Sequence, residues 1–362
     1  MAPPKVTREQ AQQAVDMLCA CQGNQTRTAE RLGLARASLQ NRLDRARHYG
    51  ITVPVFDTPG TVNTGHISIK PPEFEIDPLP DDDLSADELV AHRIKQFHKK
   101  RSYEEARRLI KVRVKLDGPI GVWHFGDPHV DDDGTDLEAI QAHTELIRNT
   151  PGVFGANVGD TTNNWVGRLA RLWAQQSTSA KQAWKLAEWF LNRIDWLYLI
   201  GGNHDAWSGA GDPIKWIQAG KSAPYMSSEV RLELRFPNGN TCRINARHDF
   251  SGHSQYNPTH GPMKASLFGV RDHIAVAGHK HISGHGVLKN PDDGSLCHSF
   301  LVAGYKVYDR YALEKGFRDQ HISPGVFTII DPRLPNTHPD FVTHYWTLDR
   351  GIEVLNYLRS IT

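Results

Sequence analysis

The chain has 362 residues, 39% hydrophobic and 23% charged, with 19 histidines and a net charge of +1. This is ordinary globular usage, long enough for two or three domains, and any basic surface for nucleic acid has to be local. Cys19, Cys21, Cys242 and Cys297 form no C-x-x-C pair, Met1 to Arg8 lacks an apolar signal core, and no stretch approaches the ~20 apolar residues of a membrane span, so a thiolate-zinc site is not expected and a cytoplasmic protein is.

Residues 7–21 suit one helix, with Val15 and Leu18 apolar and Gly23-Asn24 ending it. Thr26 to Leu32 suits a second, Gly33 a turn, and Ala35 to Tyr49 a third with Leu39 and Leu43 facing in. Over residues 1–50 basic side chains outnumber acidic ones eight to four. A short helix, a glycine turn and an Arg-rich helix form a helix-turn-helix arrangement. The run NQTRTAERLGLARASLQNRL, Asn24 to Leu43, resembles the Fis-type DNA-binding motif. The resemblance implies DNA as partner, with Arg36, Ser38, Gln40 and Asn41 near the leading turn of a major-groove helix and Arg42 and Arg45 on phosphates. One such motif binds weakly, so a homodimer or a further DNA contact is expected. The competing reading is a small helical bundle for oligomerisation or docking.

Residues 51–84 carry Pro54, Pro59, Pro71, Pro72, Pro78, Pro80 and the run Asp81-Asp82-Asp83, the signature of an extended linker. Ser85 with Glu88 is a capping-box signal for a charged helix to about Leu109. The period then changes. Val112, Val114 and Leu116 alternate, Ile120 to Phe125 reads as a buried strand, and 229–248 as a hairpin turning at Asn238-Gly239. Later, 326–330 and 341–347 read as closing strands and 349–359 as a final helix.

Apolar runs end where polar motifs begin: Asp127-Pro128-His129, Gly159-Asp160, Gly202-Asn203-His204-Asp205 and Gly278-His279-Lys280-His281. Carboxyl ends of strands are where open α/β sheets build sites. Asp127 and His129, two apart on extended chain, point the same way. Carboxylate, amide oxygen and imidazole suit manganese, iron or zinc. Taken singly each histidine reads as structural or exposed; the ordered set reads as a metal site.

This set resembles the calcineurin-like metallophosphoesterases over roughly residues 119–330. The resemblance implies two divalent ions, manganese first and iron or zinc as alternatives. Asp127, His129 and His281 would hold one, Asn203, His248 and His279 the other, and Asp160 both. His253 is the alternative to His248. Two such ions share a water, lower its pKa and clamp the phosphoryl oxygens. His204 is then the general acid, with Asp205 to orient it. Gly159 to Asn164 lacks the arginine of the protein phosphatases, and the GNHD run is similar to the SbcD-like nuclease and phosphodiesterase branches.

The expected fold is α/β, a layered β-sandwich flanked by helices, with an all-α helix-turn-helix domain ahead of it. The divisions are 1–50 for the helix-turn-helix domain, 51–84 for the linker and 85–362 for the metallophosphoesterase domain. The expected function is two-metal hydrolysis of phosphoesters by a DNA-directed phosphodiesterase or nuclease. The alternative is a phosphatase or phosphodiesterase for nucleotides or other small phosphoesters, with the N-terminal module used for regulation or assembly. Asp131-Asp132-Asp133 reads as a solvated loop. Trp165, Trp173, Trp184, Trp189 and Trp196 read as a helical core stripe, with base stacking beside Arg168 and Arg171 as the sharper alternative. Lys306 and Arg310 read as salt-bridging residues or phosphate contacts.

Overall fold

The computed structural model describes residues 6–56, 83–164, 170–174, 176–205, 212–316 and 319–361. Most of the expected linker, 57–82, and Trp165 and Arg168 lie outside the described residues, as does the side chain of Arg310. The chain divides into two compact units, Met1–Asp83 and Leu84–Thr362.

In the first unit, α1 (Arg8–Ala20), α2 (Gln25–Arg31) and α3 (Arg36–His48) pack on one another. Thr7 and Gln10 form a capping box on α1, and Asn24 caps α2 by accepting the Arg27 N–H at 3.1 Å. Ala11, Ala14, Val15 and Leu18 recur at helical spacing and meet Leu39, Leu43 and Ala46 in a single core. Ile51, Val53 and Phe56 pack against it, so the segment 51–56, read above as linker, belongs to this packing. Gly23 has φ +82°, and a Cβ there would collide with the Phe56 ring.

The second unit begins with α4 (Ala86–Arg107), β1 (Ile110–Arg113), β2 (Ile120–Phe125), α5 (Leu137–Asn149), β3 (Val153–Asn157), α6 (Ala170–Trp173), α7 (Ala180–Leu191) and β4 (Trp196–Ile200). It continues through α8 (Pro213–Ile217), β5 (Tyr225–Met226), β6 (Glu229–Arg235), β7 (Thr241–Arg247), α9 (His260–Phe268), β8 (Ile274–Ala277), β9 (Gly284–Lys289) and β10 (Leu296–Leu301). It ends with α10 (Arg310–Lys315), β11 (Gly325–Ile330), β12 (Val342–Tyr345) and α11 (Leu348–Ser360). Two six-stranded sheets run in the orders β1-β6-β7-β8-β10-β9 and β12-β11-β2-β3-β4-β5.

Strand alternation sorts the side chains into layers. Ile120 and Val122 of β2 join Leu232, Ile244, Val276 and Phe300 of the other sheet in the core between the sheets. Trp123 and Phe125, on the opposite face of β2, pack instead with Ile140, Phe190, Leu191 and Leu355 of α5, α7 and α11. Ala275 and Ala277 turn outward from β8 toward Ala265 of α9. The result is a mixed α/β sandwich with helices outside both sheets, as the apolar patterning implies. Trp196 lies on β4, not on a helix as expected above; its ring is buried and its N–H donates to the Leu191 carbonyl at 3.1 Å. Trp184 and Trp189 are core-facing on α7, whereas Trp173 is 42% exposed.

Where β9 and β10 of one sheet come near β12 of the other, three histidines meet. His285 and His344 have ring centroids 4.0 Å apart, His285 Nε2 is 3.3 Å from His298 Nδ1, and Phe300 stacks against His285 at 4.7 Å. Among the described residues no helix is long and apolar enough to cross a membrane.

Candidate metal centre and helix-turn-helix surface

β2, β3 and β4 are parallel neighbours in one sheet, and β7 and β8 in the other. The segments leaving their carboxyl ends carry Asp127 and His129, Asp160, Asn203 and His204, His248, and His279 and His281. These bring all seven expected ligands into two adjoining groups. In the first, Asp127 Oδ2 lies 3.3 Å and His129 Nε2 3.2 Å from His281 Nε2. In the second, His248 Nε2 faces Asp160 Oδ2 at 3.1 Å, His279 Nδ1 at 3.1 Å and Asn203 Oδ1 at 2.8 Å. The groups touch: the His279 N–H donates to Asp127 Oδ2 at 2.6 Å. His253, the alternative ligand, is exposed and belongs to neither group.

The backbone is bent to achieve this. His129, Asp160, Asn164, His279 and His281 all have positive φ, between 39° and 66°, a region costly for residues with a side chain. Gly202 approaches Asp160 so closely that any Cβ would collide with its carboxylate.

The donor set fits divalent cations. The facing atoms are all lone-pair bearers, and the four cysteines, free thiols, lie outside both groups. Asp127 Oδ1 and His129 Nδ1 are buried without a hydrogen-bond partner among the described residues. Burial opposes a charged His248 ring, yet the Asp160 and Asp127 carboxylates hold its pKa up at about 10. Burial likewise opposes ionised Asp160, and His248, His204 and His129 drive its pKa down. A proton on His248 thus compensates buried negative charge, the role a cation would take over. The His248 Nδ1–H donates to the Val158 carbonyl at 3.1 Å, which directs Nε2 into the group.

His204 sits at the rim. Its backbone N–H donates to Asp160 Oδ1 at 2.9 Å and its ring Nδ1–H to the Asn163 carbonyl at 2.6 Å, with Nε2 3.9 Å from Asp160 Oδ2. Asp205 does not orient that ring. Its buried carboxylate accepts the N–H groups of Gly202 (2.8 Å), Thr161 (3.3 Å) and Thr162 (3.3 Å), tying the loops after β3 and β4 together. Burial and the nearby Asp160 push its pKa up, against the pull of these donors.

The acidic run after His129 also departs from expectation. Asp131 and Asp132 are buried rather than solvated. Asp131 accepts the Asn163 N–H at 2.7 Å, and burial raises its pKa to about 6. Asp132 takes the Asn163 side-chain amide at 3.1 Å and Lys306 Nζ at 3.0 Å. Lys306 reaches Asp309 at 3.4 Å, and Asp309 lies 3.6 Å from His281 Nδ1. Lys306 is therefore a salt-bridging residue behind the first group. Asn163 and Asp309 were missed; the Lys306–Asp309 spacing of three on a turn was the available signal.

In the first unit, Leu39, Leu43 and Ala46 take α3 into the core, which turns Arg36, Ser38, Gln40, Asn41 and Arg45 to the exposed face with Arg42 half-buried. Gln40 donates to Asp44 at 3.1 Å. Gly33, with φ +63°, makes the turn between α2 and α3.

Residues 15–45 match the model of the bacterial regulatory protein, Fis family. The chain is thus a mixed α/β protein preceded by a Fis-type helix-turn-helix segment. No curated sequence matches it. Among similar solved structures is the NAD nucleotidase NadN of Haemophilus influenzae, at 9% identity and TM-score 0.33, covering 64% of this chain and 50% of that one. This chain therefore spans half the length of that protein. The calcineurin-like phosphoesterase YfkN of Bacillus subtilis shares 12% identity at TM-score 0.31, over 67% of this chain and 100% of that one. Vps29 of Chaetomium thermophilum shares 10% at TM-score 0.30, over 62% and 96%.

Proposed function

We propose that the second unit hydrolyses phosphoesters with two divalent cations, manganese foremost, and that the first unit holds DNA as the source of those esters. One observation carries the reading: two adjoining groups of histidine and carboxylate atoms, joined through Asp127, Asp160 and His279, at the carboxyl ends of strands from both sheets. Asp127, His129 and His281 would hold one cation, Asn203, His248 and His279 the second, with Asp160 shared. Two cations in such a set supply Lewis acidity to a phosphoryl group and lower the pKa of water.

The chain's own groups do the rest. The Asn163 carbonyl fixes the His204 Nδ1–H, which leaves Nε2 as the nitrogen at the rim that takes up and gives up a proton, placed to pass it to a leaving oxygen. Asp160 and Asp205 lock the Gly202–Asp205 loop that presents it. The missing arginine after Asp160 and the GNHD run favour the nuclease and phosphodiesterase branch, SbcD-like, over protein phosphatases. The exposed Arg36, Ser38, Gln40, Asn41 and Arg45, with Arg42, are the DNA-facing set on α3, in line with a cytoplasmic protein. A tether of this kind raises the local concentration of DNA without a new contact at the chemistry.

The test is a manganese-supplemented panel of single- and double-stranded DNA, nucleotides and a generic phosphodiester. Wild type should cleave DNA and the generic diester. His204→Ala should keep both cations by elemental analysis and lose about 10²–10⁴-fold in rate. Removing residues 1–83 should spare the generic diester and slow DNA. Undiminished DNA cleavage after that truncation sinks the tether, and a preference for nucleotides over DNA returns the alternative substrate class.

A further inference from the structure

Helix α4 is unlike every other long helix of the second unit: it contributes no buried residue. Its 22 residues span about 33 Å, and every residue from 84 to 106 is exposed. Its anchor is at the far end, where Arg107 donates to the Tyr225 carbonyl at 3.3 Å. Yet the helix is not simply polar. Val90, Ile94 and Phe97, at spacings of four and three, fall on one face and are 57%, 53% and 62% exposed. Arg101 continues that line one turn on, with its guanidinium 5.9 Å from the Phe97 ring centroid.

We infer that this face pairs with the same face of a second copy of the chain, antiparallel, about a two-fold axis at Ile94. The charges at the two ends of this face, Asp87 and Arg101, favour a second copy as occupant and an antiparallel direction. Asp87 and Arg101 lie seven residues before and seven after Ile94 on the apolar side of the helix. An antiparallel copy sets Asp87 of one helix level with Arg101 of the other, twice, and Val90 within one residue of Phe97. A parallel copy would oppose Asp87 to Asp87 and Arg101 to Arg101. Self-complementarity about a single axis is what an isologous interface requires. The pairing also matches the unit that precedes it in sequence, because helix-turn-helix modules read two half-sites as dimers. It is independent of the phosphoesterase reading, since no residue of α4 belongs to the His/Asp groups.

The test is the mass of the full chain in solution. A pair of single helices is at the small end of stable interfaces, so sedimentation at about 10 μM is suitable. Wild type should sediment at twice the 40.7 kDa monomer. Ile94→Asp and Phe97→Asp should halve the mass while leaving cation uptake and helix content unchanged, because both side chains are more than half exposed and belong to no buried core among the described residues. Asp87→Arg and Arg101→Asp should each be monomeric alone, and a mixture of the two should recover the dimer mass. A monomeric wild type, a dimer that survives Ile94→Asp, or a mixture that stays monomeric overturns the proposal. So does a monomeric wild type in which Ile94→Asp opens residues 57–82 to protease, which would assign the face to that segment instead.

Discussion

The two histidine-carboxylate groups share donor types and differ in how they are held. Around Asp127, His129 and His281 the support is layered. Asp127 is fully buried, and the far side of the His281 ring meets Asp309, which Lys306 links to Asp132. Around Asp160, His248 and His279 the site is open: His279 is exposed, and Asn203 is half-buried. Braced donors in a low-dielectric pocket need no reorganisation to meet a charge, whereas exposed ones are screened by water. The comparison teaches that the first group should be the tight half and the second the half that exchanges with solvent.

The largest test of that contrast is the carboxylate common to both. Asp160→Ala should cost both halves their cation and reduce diester hydrolysis by more than about 10³-fold, read by elemental analysis beside rate. Retention of a full pair of cations would refute the shared role. Next, His281→Ala and His279→Ala should separate the halves. Titration with manganese should find His281→Ala without its tight site and His279→Ala with the tight site intact and the weak one lost. Equal losses would dissolve the distinction. The smallest effect is at the brace. Asp309→Asn should weaken the tight site by about 10- to 100-fold and leave the other unmoved.

Much of the fold and of the candidate site was legible because Asp127, Asp160, Asn203 and His279 each sit just after a short apolar run with glycine at the bend. Strand ends gather at one edge of a parallel sheet whatever the loops between them do. His248 was preferred over His253 because it closes the strand Arg243–Arg247, and it is His248 that lies beside Asp160 and His279. What could not be read was pairing across sequence. Asp132 and Lys306 are buried partners 174 residues apart, so the acidic run looked like solvated loop in isolation. Asp205, next to His204, invited a local reading, but consecutive side chains diverge and its partners are backbone groups, Gly202 close by and Thr161 and Thr162 over forty residues away. The apolar run 196–200 was legible as a strand; counting Trp196 in the helical tryptophan stripe extended that stripe one tryptophan too far.

The stacked rings of His285, His298 and His344 carry a consequence for acid tolerance. Burial, reinforced by the neighbouring imidazoles, lowers the pKa of His285 and His298 to about 4, and burial lowers His344 as well. Above the ordinary histidine value of about 6.5 both folded and unfolded chains leave these rings neutral. Below it the unfolded chain gains protons that the folded one refuses, so stability drains away between roughly pH 6.5 and 4. The seam is thereby a pH-weakened weld between the two sheets. His344→Phe should flatten the melting-temperature profile across that interval while leaving the neutral-pH midpoint little changed, and an unaltered profile would place the acid weakness elsewhere.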